Sequence, residues 1–373
     1  MVRIESVNAA AAGNRAAERR LADELQRIAT AWGLRCRHIG VEDRGHNLLV
    51  LHEAGAGRPW VMFDSHMDTV AVDGMTVDPF GGEVRDGKLF GRGACDTKGT
   101  GTAALWALKE YAALPDQPNN VAIAFTVDEE YGMTGVQALV EAWPELGFEP
   151  VGVIVGEPTR LQAVRAHNGV LRWVVRAHGV AAHSSMPQLG KSAIRMMSTV
   201  LTEMYARYIP ALTSEHPLTG KAQCSINVIR GGSQANVIPD LCQIEIDRRV
   251  TPYEDLDRAS ADFAAFIQEI SDQHADHDLE VQIIKGMPAL LPQGSERLYE
   301  SVAGVLESHG LETASAGVAY ATNAGFLSAA GVPCIVLGPG DGNKAHTKDE
   351  YIDLGQLRQG ASVYRDLMGA EFA

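Results

Sequence analysis

The stretch Trp60-Val61-Met62-Phe63-Asp64-Ser65-His66-Met67-Asp68-Thr69-Val70 runs apolar and then turns abruptly polar. A buried strand ends this way when it delivers side chains to a site at its tip. His66 and Asp68 are two positions apart, so on an extended backbone they point to the same side. The imidazole can bind a metal while the carboxylate holds it in the correct tautomer. It can equally be a strand-end histidine bonded to its neighbour with no metal, and the pair alone leaves both readings open.

The same change from apolar to acidic recurs downstream. Residues 121–127 read as a buried strand that ends in Asp128-Glu129-Glu130, and residues 151–155 as another that ends in Gly156-Glu157-Pro158-Thr159. Helical spacing is predicted for 14–32 (Ala17, Leu21, Leu25, Ile28, Trp32, with Gly33 as the stop), 97–113 and 135–142. Residues 47–51 are strand-like, and 82–90 read as a hairpin. Strands alternating with helices predict an α/β domain around a mostly parallel sheet.

After Asn168 the rhythm changes. The pattern predicts a strand over 171–178, a helix over 191–207, strands over 224–230 and 241–248, a helix over 254–270 and a strand over 279–284. That order, βαββαβ, is a ferredoxin-like sandwich complete in itself, and it reads as an insertion. The expected division is 1–168 for the first part of an α/β catalytic domain, 169–285 for the inserted domain, and 286–373 for the return. The return holds helices over 296–310, 323–330 and 354–367, with a strand over 333–337.

At 373 residues the chain exceeds one simple core. Hydrophobic content of 46% and charged content of 21% are those of a globular protein. A formal net charge of -15 argues against nucleic-acid or anionic-membrane partners. The cysteines Cys36, Cys95, Cys224, Cys242 and Cys334 show no CxxC spacing, which points to a reducing compartment with neither disulfide framework nor thiolate zinc site. With no apolar span and no signal-peptide pattern, a cytoplasmic location is expected.

Two loops add further metal-capable groups: Asp96 in Gly91-Arg92-Gly93-Ala94-Cys95-Asp96-Thr97-Lys98-Gly99, and His346 in the loop that begins Gly338-Pro339-Gly340. Ligand sites of open α/β sheets lie beyond the carboxyl ends of the strands, so these loops should converge there with His66, Glu129, Glu130 and Glu157. Two histidines and several acids without cysteine suit a hydrolytic pair of divalent ions. Adjacent Glu129 and Glu130 are costly on an apolar strand unless neutralised. One can bind metal while the other moves a proton; a solvated acidic turn is the alternative. Gly91-Arg92-Gly93 lacks the third glycine of a dinucleotide fingerprint, and Lys98-Gly99 reverses the phosphate-loop order. In the inserted domain His183 and Asn236 break regular patterns, either as donors to an oxyanion or as turn residues.

Taken together, the motifs resemble the M20 family of metallopeptidases and amidohydrolases. They are Ser65-His66-Met67-Asp68-Thr69, Gly91-Arg92-Gly93 with Asp96, Asp128-Glu129-Glu130, Gly156-Glu157-Pro158-Thr159, His183-Ser184-Ser185, Asn236-Val237-Ile238-Pro239-Asp240 and Ala345-His346-Thr347-Lys348-Asp349-Glu350. The resemblance implies two zinc ions, with cobalt or manganese as substitutes. His66, Asp96 and Glu157 would hold one, and Asp96, Glu130 and His346 the other, with Asp96 bridging. It implies Asp68 as the acid that orients His66, Glu129 as general base toward a metal-activated water, and a cis peptide between Asp96 and Thr97. It also implies a homodimer through the inserted domain, with His183 and Asn236 reaching substrate and Arg249 clamping a substrate carboxylate.

Within the family the stretch around Glu157, Val164-Arg165-Ala166-His167 and Gly338-Pro339-Gly340 is most similar to acetylornithine deacetylase. Thr322-Asn323 departs from the pattern, because many members carry an acid at the second position. These two residues are expected at the substrate pocket, which bears on whether a cationic side chain is accepted. The expected activity is zinc-dependent cleavage of the amide of an N-acyl amino acid. The alternatives are a di- or tripeptidase or carboxypeptidase acting on short peptides with the same centre, and a non-catalytic metal-binding protein.

Overall fold

The computed structural model describes residues 1–14 and 16–372. The chain forms two compact units: residues 1–165, 291–316 and 322–373 in the first, and 166–290 with 317–321 in the second. The boundaries therefore fall a few residues outside the expected 169–285, and the short 317–321 segment also belongs to the second unit.

The first unit is built on a sheet whose central strands are the apolar runs of the sequence. Asn120–Thr126, Trp60–His66, Pro150–Val155 and Cys334–Val336 lie side by side in that order, all parallel. Every residue of Asn120–Thr126 is buried, as in a sheet covered on both faces. Gly45–His52 pairs antiparallel with Asn120–Thr126, and Arg35–Val41 pairs antiparallel with Gly45–His52. Arg35–Val41 escapes sequence analysis because it is a mostly uncovered edge strand with no clean alternation. Helices Ala17–Ala31, Lys98–Tyr111, Glu296–Ser308 and Leu354–Met368 join the sheet in one core, which includes Leu21, Leu108, Phe63, Phe125, Leu306 and Leu367.

In the second unit the four-stranded sheet runs Gln223–Gly231, Leu241–Val250, Gly169–His178, Leu279–Met287, all antiparallel. Ala193–Glu203 and Leu256–Gln273 cover one face, where Trp173 stacks on Phe263 with ring centroids 4.1 Å apart. The order is βαββαβ, a ferredoxin-like sandwich. The first of these helices stops at Glu203 and continues as a π turn, Met204–Tyr208, with Pro210 just beyond.

One close approach ties the sheet to the acidic strand end. Asn47 Nδ2 donates to the Gly135 carbonyl (2.7 Å), and Val127 N donates to Asn47 Oδ1 (3.0 Å). A Cβ at Gly135 would meet the Val127 carbonyl oxygen at 2.2 Å and the Val127 nitrogen at 2.7 Å. We expect Gly135→Ala to destabilise the protein by about 1–3 kcal/mol in a denaturant melt, as overpacking does. Wild-type stability would show that the segment after Val127 yields freely.

Candidate metal centre

Strand ends and two loops bring the predicted acids and histidines together. His66 closes Trp60–His66, Glu129 and Glu130 follow Asn120–Thr126, and Glu157 follows Pro150–Val155. Asp96 precedes helix Lys98–Tyr111 across a cis Asp96–Thr97 peptide, and His346 follows the short turn Gly342–Lys344. Two triads result, His66–Asp96–Glu157 and Asp96–Glu130–His346, each with its ligand atoms within 4.8 Å of one another. Asp96 turns one oxygen to each: Oδ1 lies 3.0 Å from His66 Nε2, and Oδ2 lies 3.2 Å from His346 Nε2. His346 Nε2 is also 3.0 Å from Glu130 Oε1, while Glu157 Oε1 stands 3.9 Å from His66 Nε2.

The back of the site fixes the tautomer of His66. Its Nδ1 faces only acceptors of Asp68, the backbone carbonyl at 3.0 Å and the carboxylate at 3.4 Å, so the proton sits there and Nε2 is left to bind. The carbonyl is the nearer partner. The Asp68 carboxylate also accepts from Glu129 N and Glu130 N, both at 3.0 Å, and so holds the backbone of the adjacent acids. Asn8 keeps that carboxylate in place. Asn8 Nδ2 donates to Asp68 Oδ2 (2.7 Å) and to Asp128 Oδ1 (2.9 Å), and Arg44 lies 3.3 Å from Asp128. Buried Glu18 accepts from Asp128 N at 2.8 Å. Burial and the charge of Asp68 push the Glu18 carboxyl up to about 8. Asn8, Glu18 and Arg44 carry no signal in the sequence, because they are far from the motifs along the chain and of ordinary type.

Electrostatics show what the donor set requires. Burial, then the charges of neighbouring acids, push the carboxyls of Glu129, Glu130 and Glu157 above the ordinary carboxylate range. Burial alone would lower His66, but its bonds to Asp68 and Asp96 hold it well above its ordinary value. Bonds to Asp96 and Glu130 push His346 up to about 10. Burial opposes ionisation of Asp96, yet the bonds from His346 and His66 hold it below the usual range. A largely enclosed cage of oxygen and imidazole donors that must draw in protons to balance its own charge fits divalent cations.

Thr322 and Asn323, expected at the substrate pocket, are both buried. Asn323 Nδ2 donates to Asp64 Oδ2 (2.9 Å) and to Thr126 Oγ1 (3.0 Å), and Thr126 Oγ1 donates to Asp64 Oδ1 (3.0 Å). Thr322 Oγ1 accepts from Ala324 N at 3.2 Å. Burial pushes the Asp64 carboxyl up to about 6 against these bonds. An acid at 323 would set two carboxylates face to face, so the amide at this position suits Asp64.

Three other predicted residues lie in the second unit. His183 and Asn236 come together where Ala182–His183 pairs with Val237–Ile238 and Ser184 N donates to the Asn236 carbonyl (2.9 Å). Ser185 N donates to His183 Nδ1 (3.2 Å), which leaves the proton on Nε2. Arg249 is half-buried, with Nε bonded to Asp247 Oδ1 at 2.7 Å.

Acids and histidines sharing one carboxylate, at the carboxyl end of an α/β sheet, fit a dinuclear metal-dependent hydrolase. Residues 62–370 match the peptidase family M20/M25/M40, and the chain belongs to that family. It is 30% identical over 310 residues to acetylornithine deacetylase of Myxococcus xanthus, covering 82% of this chain and 78% of that protein. It is also 30% identical over 355 residues to succinyl-diaminopimelate desuccinylase of Xanthomonas euvesicatoria pv. vesicatoria, covering 92% and 91%. Among solved structures, a tripeptidase from Staphylococcus aureus superposes with a TM-score of 0.78 at 20% identity, covering 99% of this chain and 95% of that one. The M20 metallo-carboxypeptidase Sso-CP2 from Sulfolobus solfataricus does so with 0.79 at 14%, covering 99% and 96%. At these identities the structural likeness carries the fold.

Two outcomes are expected. Glu129, Glu157, His66 and His346 are all raised in the folded state, so their contribution to stability is full below their ordinary values and is lost as pH rises through the raised ones. The melting temperature of metal-free protein should therefore fall as pH rises from about 4.5 toward about 10, where His346 loses its proton, while the increment from added divalent ion grows, because fewer protons compete. A flat profile in calorimetry would contradict this cage. Separately, Asn323→Asp should lower stability by at least about 2 kcal/mol by burying a second carboxylate against Asp64. Adding Asp64→Asn should restore most of it in urea unfolding, and a double variant no better than the single would break the pairing.

Proposed function

We propose that this enzyme hydrolyses the amide bond of an N-acyl amino acid, in the manner of the deacetylase and desuccinylase to which it is similar in sequence. The observation that carries the reading is Asp96 offering one oxygen to each triad, while the adjacent acid Glu129 belongs to neither. His66, Asp96 and Glu157 would hold one zinc and Asp96, Glu130 and His346 the other, with cobalt or manganese as substitutes. Bound there, the ions supply Lewis acidity toward a water and toward the scissile carbonyl.

The chain's own residues do the rest. Glu129 takes a proton from the attacking water and returns it to the amide nitrogen as the C–N bond breaks. Burial, then the charges of Glu130, Asp68 and Asp96, raise its carboxyl above the ordinary carboxylate range. Asp68 keeps the Glu129–Glu130 backbone and His66 in one frame through the bonds described above. His183 donates from Nε2 to the developing oxyanion. Asn236 and Arg249 contact the substrate, with the planar guanidinium of Arg249 matched to its carboxylate.

A peptidase acting on short peptides would use the same centre and differ only in what it accepts on the acyl side. The sequence relatives favour the N-acyl reading, because both cited proteins are named for removing an acyl group. We further propose a cytoplasmic homodimer. Five free cysteines suit a reducing compartment, and Gln223–Gly231 is an edge strand that pairs on one side with Leu241–Val250. No helix among the described residues is long and apolar enough to cross a membrane.

Glu129→Gln should bind metal as wild type does while kcat falls by about 10²–10⁴-fold. Unchanged kcat in the metal-loaded variant would remove Glu129 from the mechanism. Assayed on N-acetyl and N-succinyl amino acids beside simple dipeptides, the wild type should prefer an N-acyl amino acid. Preference for dipeptides would move it to the peptidase branch, and a strict monomer in sedimentation would rule out the dimer.

A further inference from the structure

Of the five side chains in the two triads, His66, Glu130 and Glu157 ride on or just after strands of the sheet, whereas Asp96 and His346 come from loops. His346 is the most exposed of the five and adopts a left-handed backbone with φ of 59°. No strand of the sheet holds it opposite Asp96. What does is a pair of buried residues that the catalytic reading does not use.

Glu350, four residues after His346, is fully buried. Its Oε1 accepts from Cys95 N (3.0 Å) and from Asp96 N (3.1 Å), so a side chain of the His346 loop grips the backbone of the bridging acid. Arg92, from the Asp96 loop, reaches the other way. Its Nη1 donates to Glu350 Oε2 (2.7 Å) and to the carbonyl of Thr347 (3.3 Å), the residue next to His346. Arg92 Nε is anchored on the Ala71 carbonyl (3.1 Å), and Gly91 N donates to the Glu350 carbonyl (3.0 Å). Each loop thus holds the other's ligand-bearing backbone.

Building on the dinuclear reading above, we propose that Arg92 and Glu350 are positioning residues that register His346 against Asp96, and that they control occupancy of the Asp96–Glu130–His346 site in preference to its neighbour. The other site depends on them less. His66 is held by Asp68, Thr97 Oγ1 donates to the His66 carbonyl (2.9 Å), and Gly156 N beside Glu157 donates to the Asp64 carbonyl (2.7 Å). A buried ion pair adds little net stability of its own, so a mere packing role would not single out one ion site.

The test compares zinc titration calorimetry of wild type, Glu350→Gln and Glu350→Ala, with His346→Ala marking which binding event belongs to the second site. Glu350→Gln keeps an acceptor for Cys95 N and Asp96 N and loses the charge that pairs with Arg92, so it should fold if Glu350→Ala does not. The marked event should weaken by about 10–100-fold, as removal of outer partners of a metal ligand does, with the other within about threefold. Both events unchanged, or both lost in parallel, would overturn the proposal. Hydrogen exchange of the metal-free proteins supplies a second readout. Loss of protection at Gly91 and Thr76, whose amides donate to the Glu350 and Lys348 carbonyls, in Glu350→Gln supports the clasp, and protection at both equal to wild type overturns it. If wild type itself took up fewer than two ions, the dinuclear reading would fail, and the exchange experiment would still decide whether the loops are coupled.

Discussion

The structure depends on one carboxylate shared between two imidazoles. Asp96 is nearly enclosed among Glu129, Glu130 and Glu157, each of which repels it, and it stays ionised because His66 and His346 approach its two oxygens from either side. In a low-dielectric interior this arrangement is tolerable only with compensating positive charge. The surrounding architecture reads as a set of answers to that requirement. Some residues bring the charges together, and others stop them from relaxing apart.

Three polar layers serve the second purpose, and each uses a different chemistry. Behind His66, a neutral amide, Asn8, stands between the carboxylates of Asp68 and Asp128, with Arg44 as the nearby cation. Beneath the strand, Asn323 and Thr126 satisfy Asp64. At the loops, Arg92 and Glu350 form a buried ion pair that also binds backbone on both sides. An amide suits the first two places because it donates to carboxylates without adding charge. The third spans two loops, where a charge-assisted bond gives geometry that a neutral one would not.

Much of this was legible in the residues. The apolar runs at 60–63, 121–127 and 151–155 end in acids and a histidine, and a sheet that is buried on both faces can place such ends only at its rim. The βαββαβ order of the second unit follows from alternation along strands such as Leu241–Val250, where Cys242, Ile244 and Ile246 face inward. Arg35–Val41 was not legible, since an edge strand needs no apolar face and carries no period to detect. The bond from Asn323 to Asp64 was not legible either, since the two lie 259 positions apart.

The sequence by itself determined the class of fold and the ligand types, because strand burial and metal affinity are properties of residue kind and local spacing. How Asp96 comes to face both histidines while Glu129 lies outside both triads, and what holds them there, is visible only in three dimensions. Asn8 meets Asp68 across 60 positions, and Glu350 meets Asp96 across 254. Contacts at such separations leave no periodic trace in the chain, since a hydrogen bond constrains where two groups meet in space and not how far apart they lie along the backbone.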